Sequence, residues 1–117
     1  MSVRSTLLTL CLFLPAPASA ELALLMLDRE GCPYCRQWDR EVGQIYEKTP
    51  EGQQAPLMRF DIHAPLPDTV TIAQPPQFTP TFILLQDGDE VGRIVGYPGD
   101  AFFWGLLGGL IAETKHD

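Results

Sequence analysis

Residues Leu22 to Leu27 read LALLML, an unbroken apolar run of the kind that forms a strand buried on both faces of a parallel or mixed sheet. Asp28-Arg29-Glu30-Gly31 turns the chain directly after it. Pro33 then suits the first turn of a helix, where a missing N–H is harmless. Tyr34, Trp38, Val42, Ile45 and Tyr46 recur at spacings of three and four, which gives that helix an apolar face with Trp38 in the core. It is expected to end near Lys48, because Thr49-Pro50-Glu51-Gly52 reads as a stop signal.

Leu57 to Ile62 alternates well enough for a second strand. From His63 to Gln77 there are four prolines, Pro65, Pro67, Pro75 and Pro76, a density that leaves room for no more than a short helix around Asp68 to Ala73. Thr81 to Leu85 is β-branched and apolar, and Asp87-Gly88 is a hairpin signal leading into a strand from Glu90 to Tyr97. Asp100 is a good N-cap for a closing helix with Phe103, Leu106, Leu107, Leu110 and Ile111 on one face, weakened by Gly105, Gly108 and Gly109. Strand, helix, strand implies parallel pairing with a right-handed crossover, and the hairpin adds an antiparallel edge. The expected fold class is α/β, a four-stranded mixed β-sheet flanked by helices, and a chain of 117 residues with one such sheet holds a single core.

Ahead of the first strand, MSVRSTLLTLCLFLPAPASA carries Arg4, an apolar run from Leu7 to Leu14 and the small residues Ala18-Ser19-Ala20, the three parts of a secretory signal peptide cleaved after Ala20. The run is shorter than the ~20 residues of a membrane-spanning helix, and Pro15 and Pro17 interrupt it. Leu10 stands before Cys11 where lipid attachment would need a small residue, so Cys11 is expected to leave with the leader. The expected organisation is a signal peptide at 1–20 and one domain at 21–117. The formal charge of −7 becomes more negative without Arg4. Phosphate binding needs clustered positive charge, so nucleic acid is excluded as a partner, and the acidity is read as solubility.

Once the leader is gone, Cys32 and Cys35 are the remaining cysteines, in a compartment where disulfides persist. The pair can be read as a metal half-site, a structural staple or a reactive dithiol. A closed zinc site needs four ligands, and His63 and His116 are not at ligand spacing. A staple across so short a loop removes little entropy from the unfolded chain. The dithiol has a physical reason to be reactive: at a helix N-terminus, free N–H groups and the helix dipole favour the thiolate of Cys32. Cys32 would then attack a substrate disulfide, and Cys35, one turn inside and less exposed, would resolve the mixed disulfide.

Gly31-Cys32-Pro33-Tyr34-Cys35 on this strand and helix, followed by Phe78-Thr79-Pro80-Thr81-Phe82 and by Asp87-Gly88 through Val95-Gly96, resembles the thioredoxin superfamily across nearly the whole of residues 21–117. The resemblance implies a minimal thioredoxin-like fold and a cis Pro80 lying against the dithiol. It also implies that Thr79 offers its backbone to an extended peptide and that Gly96 flanks the same groove. Pro33 and Tyr34 lie beside the dithiol and are candidate substrate contacts. The chain also departs from the family: a buried acid six residues before the first cysteine is replaced by Met26, and Glu30, though nearer, looks exposed. Cys-Pro-Tyr-Cys is similar to glutaredoxins, whereas TFILLQDGDEVGRIVGY is similar to thioredoxins. Among exported members the combination most resembles the small periplasmic thioredoxin-like proteins of bacterial sulfur-oxidation (Sox) clusters.

The resemblance implies a periplasmic thiol-disulfide oxidoreductase without a cofactor or metal, acting on protein disulfides. A chain of this size has no room for the added domains of the family's oxidases and isomerases, which favours a reductase. A reductase needs a membrane thiol-electron donor, and its implied target is the cysteine of a Sox sulfur-carrier protein. Two other readings stay open at this point: a glutathione-dependent, glutaredoxin-like enzyme, and a non-enzymatic binding module with an inert disulfide.

Overall fold

A computed structural model describes residues 3–11 and 20–114. Residues 12–19, which hold part of the expected leader and its Ala18-Ser19 junction, and His116 lie outside these described residues. Leu22–Asp28 forms β1, Leu57–Asp61 β2, Thr81–Gln86 β3 and Asp89–Val95 β4. They make one mixed sheet in the order β2-β1-β3-β4, with β1 parallel to β2 and antiparallel to β3, and β3 antiparallel to β4. The expected α/β class and mixed sheet are therefore what the chain adopts.

The apolar run behaves as a central strand must. Leu24, Leu25 and Met26 are 0% exposed and Leu27 is 2% exposed, because side chains alternate between two covered faces. Leu24 and Met26 join Phe82, Leu84 and Ile94 on one face. Leu25 and Leu27 join Ile83 and Leu85 on the other.

All the helices pack on the first face. α1 (Pro33–Trp38), α2 (Pro50–Gln54) and α3 (Asp100–Glu113) bring Trp38, Phe103, Leu107 and Ile111, together with Ala55 at the C-cap of α2, to the first cluster. Trp38 sits at its centre, its ring 5.3 Å from Phe82 and 5.8 Å from Phe103, and Phe82 meets Phe103 edge-on at 4.9 Å. The second face is sealed by the irregular segment before β3, through Leu66, Val70 and Ile72. The short helix expected around Asp68 to Ala73 does not form. Instead Thr71 donates its N–H to Gly88 O (2.8 Å) and accepts from Glu90 N (2.9 Å), so its backbone bonds to the hairpin turn and the edge strand and not to a helical turn.

The first helix is also interrupted earlier than the spacing suggests. After Trp38 a π turn covers Asp39–Gly43 and a 3₁₀ turn covers Tyr46–Lys48. Trp38, Val42 and Tyr46 are four apart and all buried, while Ile45 is exposed. The wider π turn keeps residues at that spacing in line where an α-helix would let them drift round the axis. Thr49 then starts α2 as well as ending the previous turn: its hydroxyl donates to Tyr46 O (2.7 Å) and accepts from Gly52 N (3.0 Å), with Pro50 in the first turn. Gly52 is required there, since a Cβ would lie 1.8 Å from Tyr46 O. In α3 the N-cap is Gly99, and Asp100 is the first helical residue, where its charge still favours the helix dipole.

The buried face of α3 is Phe103, Leu107 and Ile111, with Leu110 partly buried, whereas Leu106 is 48% exposed. Leu107→Ala is accordingly expected to lower stability by about 2–5 kcal/mol, and Leu106→Ala by no more than about 0.5 kcal/mol. Urea denaturation of both variants checks the assignment, and equal losses would refute it.

Candidate active site

The pairing pattern gathers three separate segments at one end of the sheet. Leu27 is registered with Thr81 and Thr81 with Val95. The loop after β1, the loop before β3 and the loop after β4 therefore leave the sheet side by side. They carry Cys32, Thr79-Pro80 and Gly96. The Thr79–Pro80 peptide is cis, and Gly96 N donates to Pro80 O at 2.7 Å. Gly96 has φ +81, a left-handed conformation that glycine adopts without steric cost.

Cys32 and Cys35 are joined by a disulfide with their Cα atoms 5.3 Å apart. Cys32 is the N-cap of α1 with Pro33 in the first turn, and its Sγ accepts a hydrogen bond from Cys35 N at 3.1 Å. The two cysteines are equally buried, at 3% each. The expected difference in exposure is therefore absent, since the disulfide holds both sulfurs against the same core. What separates them is the hydrogen bond: Sγ of Cys32 faces the free N–H groups of the helix start, and that of Cys35 does not.

Tyr34 is 60% exposed and Phe78 65%, so an aromatic side chain stands free next to each half of the groove. Among the described residues, neither the N–H nor the C=O of Thr79 makes a hydrogen bond within the chain. A cleft of about 260 Å³ runs on from this point, lined by Pro75, Pro76, Phe78, Thr81, Arg93 and Val95. A larger pocket, about 460 Å³, lies between Glu21, Met58, Leu85 and Asp87, at the end of the sheet away from the dithiol. Met26, in the position of the family's buried acid, is fully buried in the same apolar cluster as both cysteines. Among the described residues no three His, Cys, Asp or Glu side chains converge as a metal site.

A family model described as a thioredoxin-like domain matches residues 15–108. The chain belongs to the thioredoxin-like family. The crystal structure of the periplasmic thioredoxin SoxS from Paracoccus pantotrophus, in its reduced form, is 46% identical with a TM-score of 0.79, over 80% of this chain and 99% of that one. The thioredoxin of Malassezia sympodialis (Mala s 13) is 15% identical with a TM-score of 0.51, over 76% of this chain and 74% of that one, a likeness of fold alone. Comparison with curated protein sequences finds no match. With a dithiol on a thioredoxin-like scaffold, this family member is a thiol-disulfide oxidoreductase.

Sequence reading passed over the polar groups that shape the groove. Tyr97, read only as the end of a strand, is buried, and its hydroxyl donates to Glu41 Oε1 at 2.7 Å. Burial and this bond to a carboxylate push its phenol well above the usual range. Glu90 and Arg93 form a half-enclosed pair, with Arg93 Nε and an Nη on the two carboxylate oxygens at 2.7 Å each. Glu90 also accepts from Ala73 N (2.9 Å), and Arg93 donates to Gln74 O (2.9 Å). The pair thus fastens the backbone leading into Phe78-Thr79-Pro80 to β4. Residues three apart on a regular strand face opposite sides, and a register shift between Leu84 and Leu85 brings Glu90 and Arg93 to one face, so the spacing itself carried no signal.

The Arg93 hydrogen bond is the main cause that lowers the Glu90 pKa below its ordinary 4.5. Its carboxylate therefore contributes stability above pH ~4.5 that is lost as pH falls through the depressed value. Glu90→Gln should be about 1–2 kcal/mol less stable at neutral pH, and the gap should close in acid. Denaturation midpoints at pH 7 and pH 3 measure this; a gap unchanged at pH 3 would contradict it.

Proposed function

We propose that this chain is a periplasmic reductase of protein mixed disulfides, with Cys32 as nucleophile and Cys35 as resolving thiol. The observation that carries the reading is the hydrogen bond from Cys35 N to Cys32 Sγ at the start of α1. A thiolate at Cys32 would keep that donor and gain from the helix start, whereas Cys35 has neither advantage. In the forward direction the Cys32 thiolate attacks one sulfur of the substrate disulfide. A Cys32–substrate bond forms, the substrate S–S bond breaks, and the departing thiolate takes up a proton. Cys35, deprotonated, then attacks Cys32 Sγ, closing the disulfide and releasing the second substrate thiol. Two electrons pass to the substrate, so each turnover needs a thiol donor to reopen Cys32–Cys35, and a membrane-borne donor fits an exported protein.

The substrate peptide would lie extended across cis Pro80 and pair with the unpaired backbone of Thr79, flanked by Gly96 on one side and Pro33 and Tyr34 on the other. Periplasmic location is supported by the SoxS relative, described as periplasmic, and by the leader pattern ending at Ala20. The same likeness to SoxS supports a cysteine of a sulfur-carrier protein as the target.

Cys32→Ser is expected to abolish reduction of insulin disulfides. Cys35→Ser is expected to retain attack but accumulate a mixed disulfide through Cys32, which mass spectrometry of trapped periplasmic partners would identify. Unchanged reduction by Cys32→Ser would end the assignment, and a trap that never contains a sulfur carrier would remove that target.

A further inference from the structure

Arg59 stands in β2 opposite Met26 in the pairing register, on the face that carries α1. Its guanidinium reaches two carboxylates, Asp28 and Asp39. Nε donates to Asp28 Oδ2 at 2.6 Å, and the two terminal nitrogens donate to Asp39 Oδ1 at 2.6 Å and Oδ2 at 3.0 Å. The Asp39 contact is a two-pronged fork, the geometry in which arginine binds carboxylate most strongly. The fork is the largest cause that holds the guanidinium pKa above its ordinary range, and Asp28 adds to it.

The positions of the two partners give the cluster its meaning. Asp28 is the last residue of β1 and Asp39 is the first residue after α1. Residues 29–38, which include Cys32 and Cys35, are the whole of the chain between them. One side chain from a third element therefore closes this segment at both ends. In the oxidised protein the disulfide itself holds the sulfurs together. In the dithiol no covalent bond does, and the chance that Cys35 meets Cys32 depends on how firmly the segment is held.

We infer that Arg59 is a positioning residue for the dithiol, acting through Asp28 and Asp39 to keep the two thiols within reach of each other. The inference rests on redox chemistry at Cys32 and Cys35. It concerns disulfide closure, in which the two thiols lose two electrons and two protons to an oxidant such as glutathione disulfide, which leaves as two glutathione thiols.

The test is the equilibrium constant for disulfide formation in glutathione buffers at pH 7, measured for the wild type, Arg59→Met, Arg59→Lys and Asp39→Asn. Arg59→Met is expected to lower the constant roughly three- to tenfold, as removal of an ion-pair network should. A tenfold loss corresponds to a potential about 30 mV less negative. Arg59→Lys, which keeps a charge but not the fork, should fall between. Asp39→Asn should act in the same direction, and combining it with Arg59→Met should add little. A constant within about twofold of wild type in a folded Arg59→Met protein would overturn the proposal. So would a rise: two unpaired carboxylates beside the dithiol disfavour the thiolate of the reduced form, so a purely electrostatic role moves the constant upward. If Arg59→Met does not fold, Asp39→Asn decides by the same criteria. A wild-type protein that forms no disulfide in these buffers would instead refute the redox reading itself.

Discussion

The complete burial of β1 is the condition on which the rest of this structure depends. Four consecutive residues, Leu24 to Leu27, have almost no exposure. A strand in that state needs a hydrogen-bonding neighbour on each edge and apolar cover on each face. β2 and β3 supply the edges. The aromatic group of Trp38, Phe82 and Phe103 covers one face, and Leu66, Val70 and Ile72 cover the other. Once β1 is central, its C-terminal end opens directly onto the helix start that carries Cys32. The sheet thus fixes the position of the dithiol before any residue of the groove is considered.

The chemistry follows from where strands end. Because β1 and β3 run antiparallel with Leu27 opposite Thr81, the turn after one meets the turn before the other, and the Gly96–Pro80 hydrogen bond adds the end of β4. Three short segments far apart in sequence make one groove. Charge is arranged around this site differently from the family pattern described above: beneath the cysteines is Met26, and the carboxylates are at the margin, on Asp28 and Asp39, shared by Arg59. The interior under the dithiol is apolar as a result.

Much of this was legible in the sequence because the signals were local. The unbroken apolar run, the Asp87-Gly88 hairpin and the proline after Cys32 each state a backbone preference, and the strands and the start of α1 lie where those preferences put them. The misreadings came where tertiary contacts outweighed local ones. A period of four in Trp38, Val42 and Tyr46 looks α-helical, but the core needed all three in line and a π turn supplied it. Thr49-Pro50 reads equally as a stop and as a cap, and only the hydroxyl's two bonds, donated to Tyr46 O and accepted from Gly52 N, show that it is both. Arg59 gave no local signal, since its meaning lies in two residues, 31 and 20 positions away in the chain.

The cover of the second face has a thermodynamic side. A stretch without helical hydrogen bonds ordinarily gives up much backbone freedom when it is pinned over a core. Here Pro65, Pro67, Pro75 and Pro76 already restrict φ in the unfolded chain, so less freedom remains to be lost on folding. That lets about fifteen residues of coil seal Ile83 and Leu85 where a packed helix would otherwise be required. The same stiffness carries on into Phe78-Thr79-Pro80, so the wall of the groove is held in shape by the chain that closes the core.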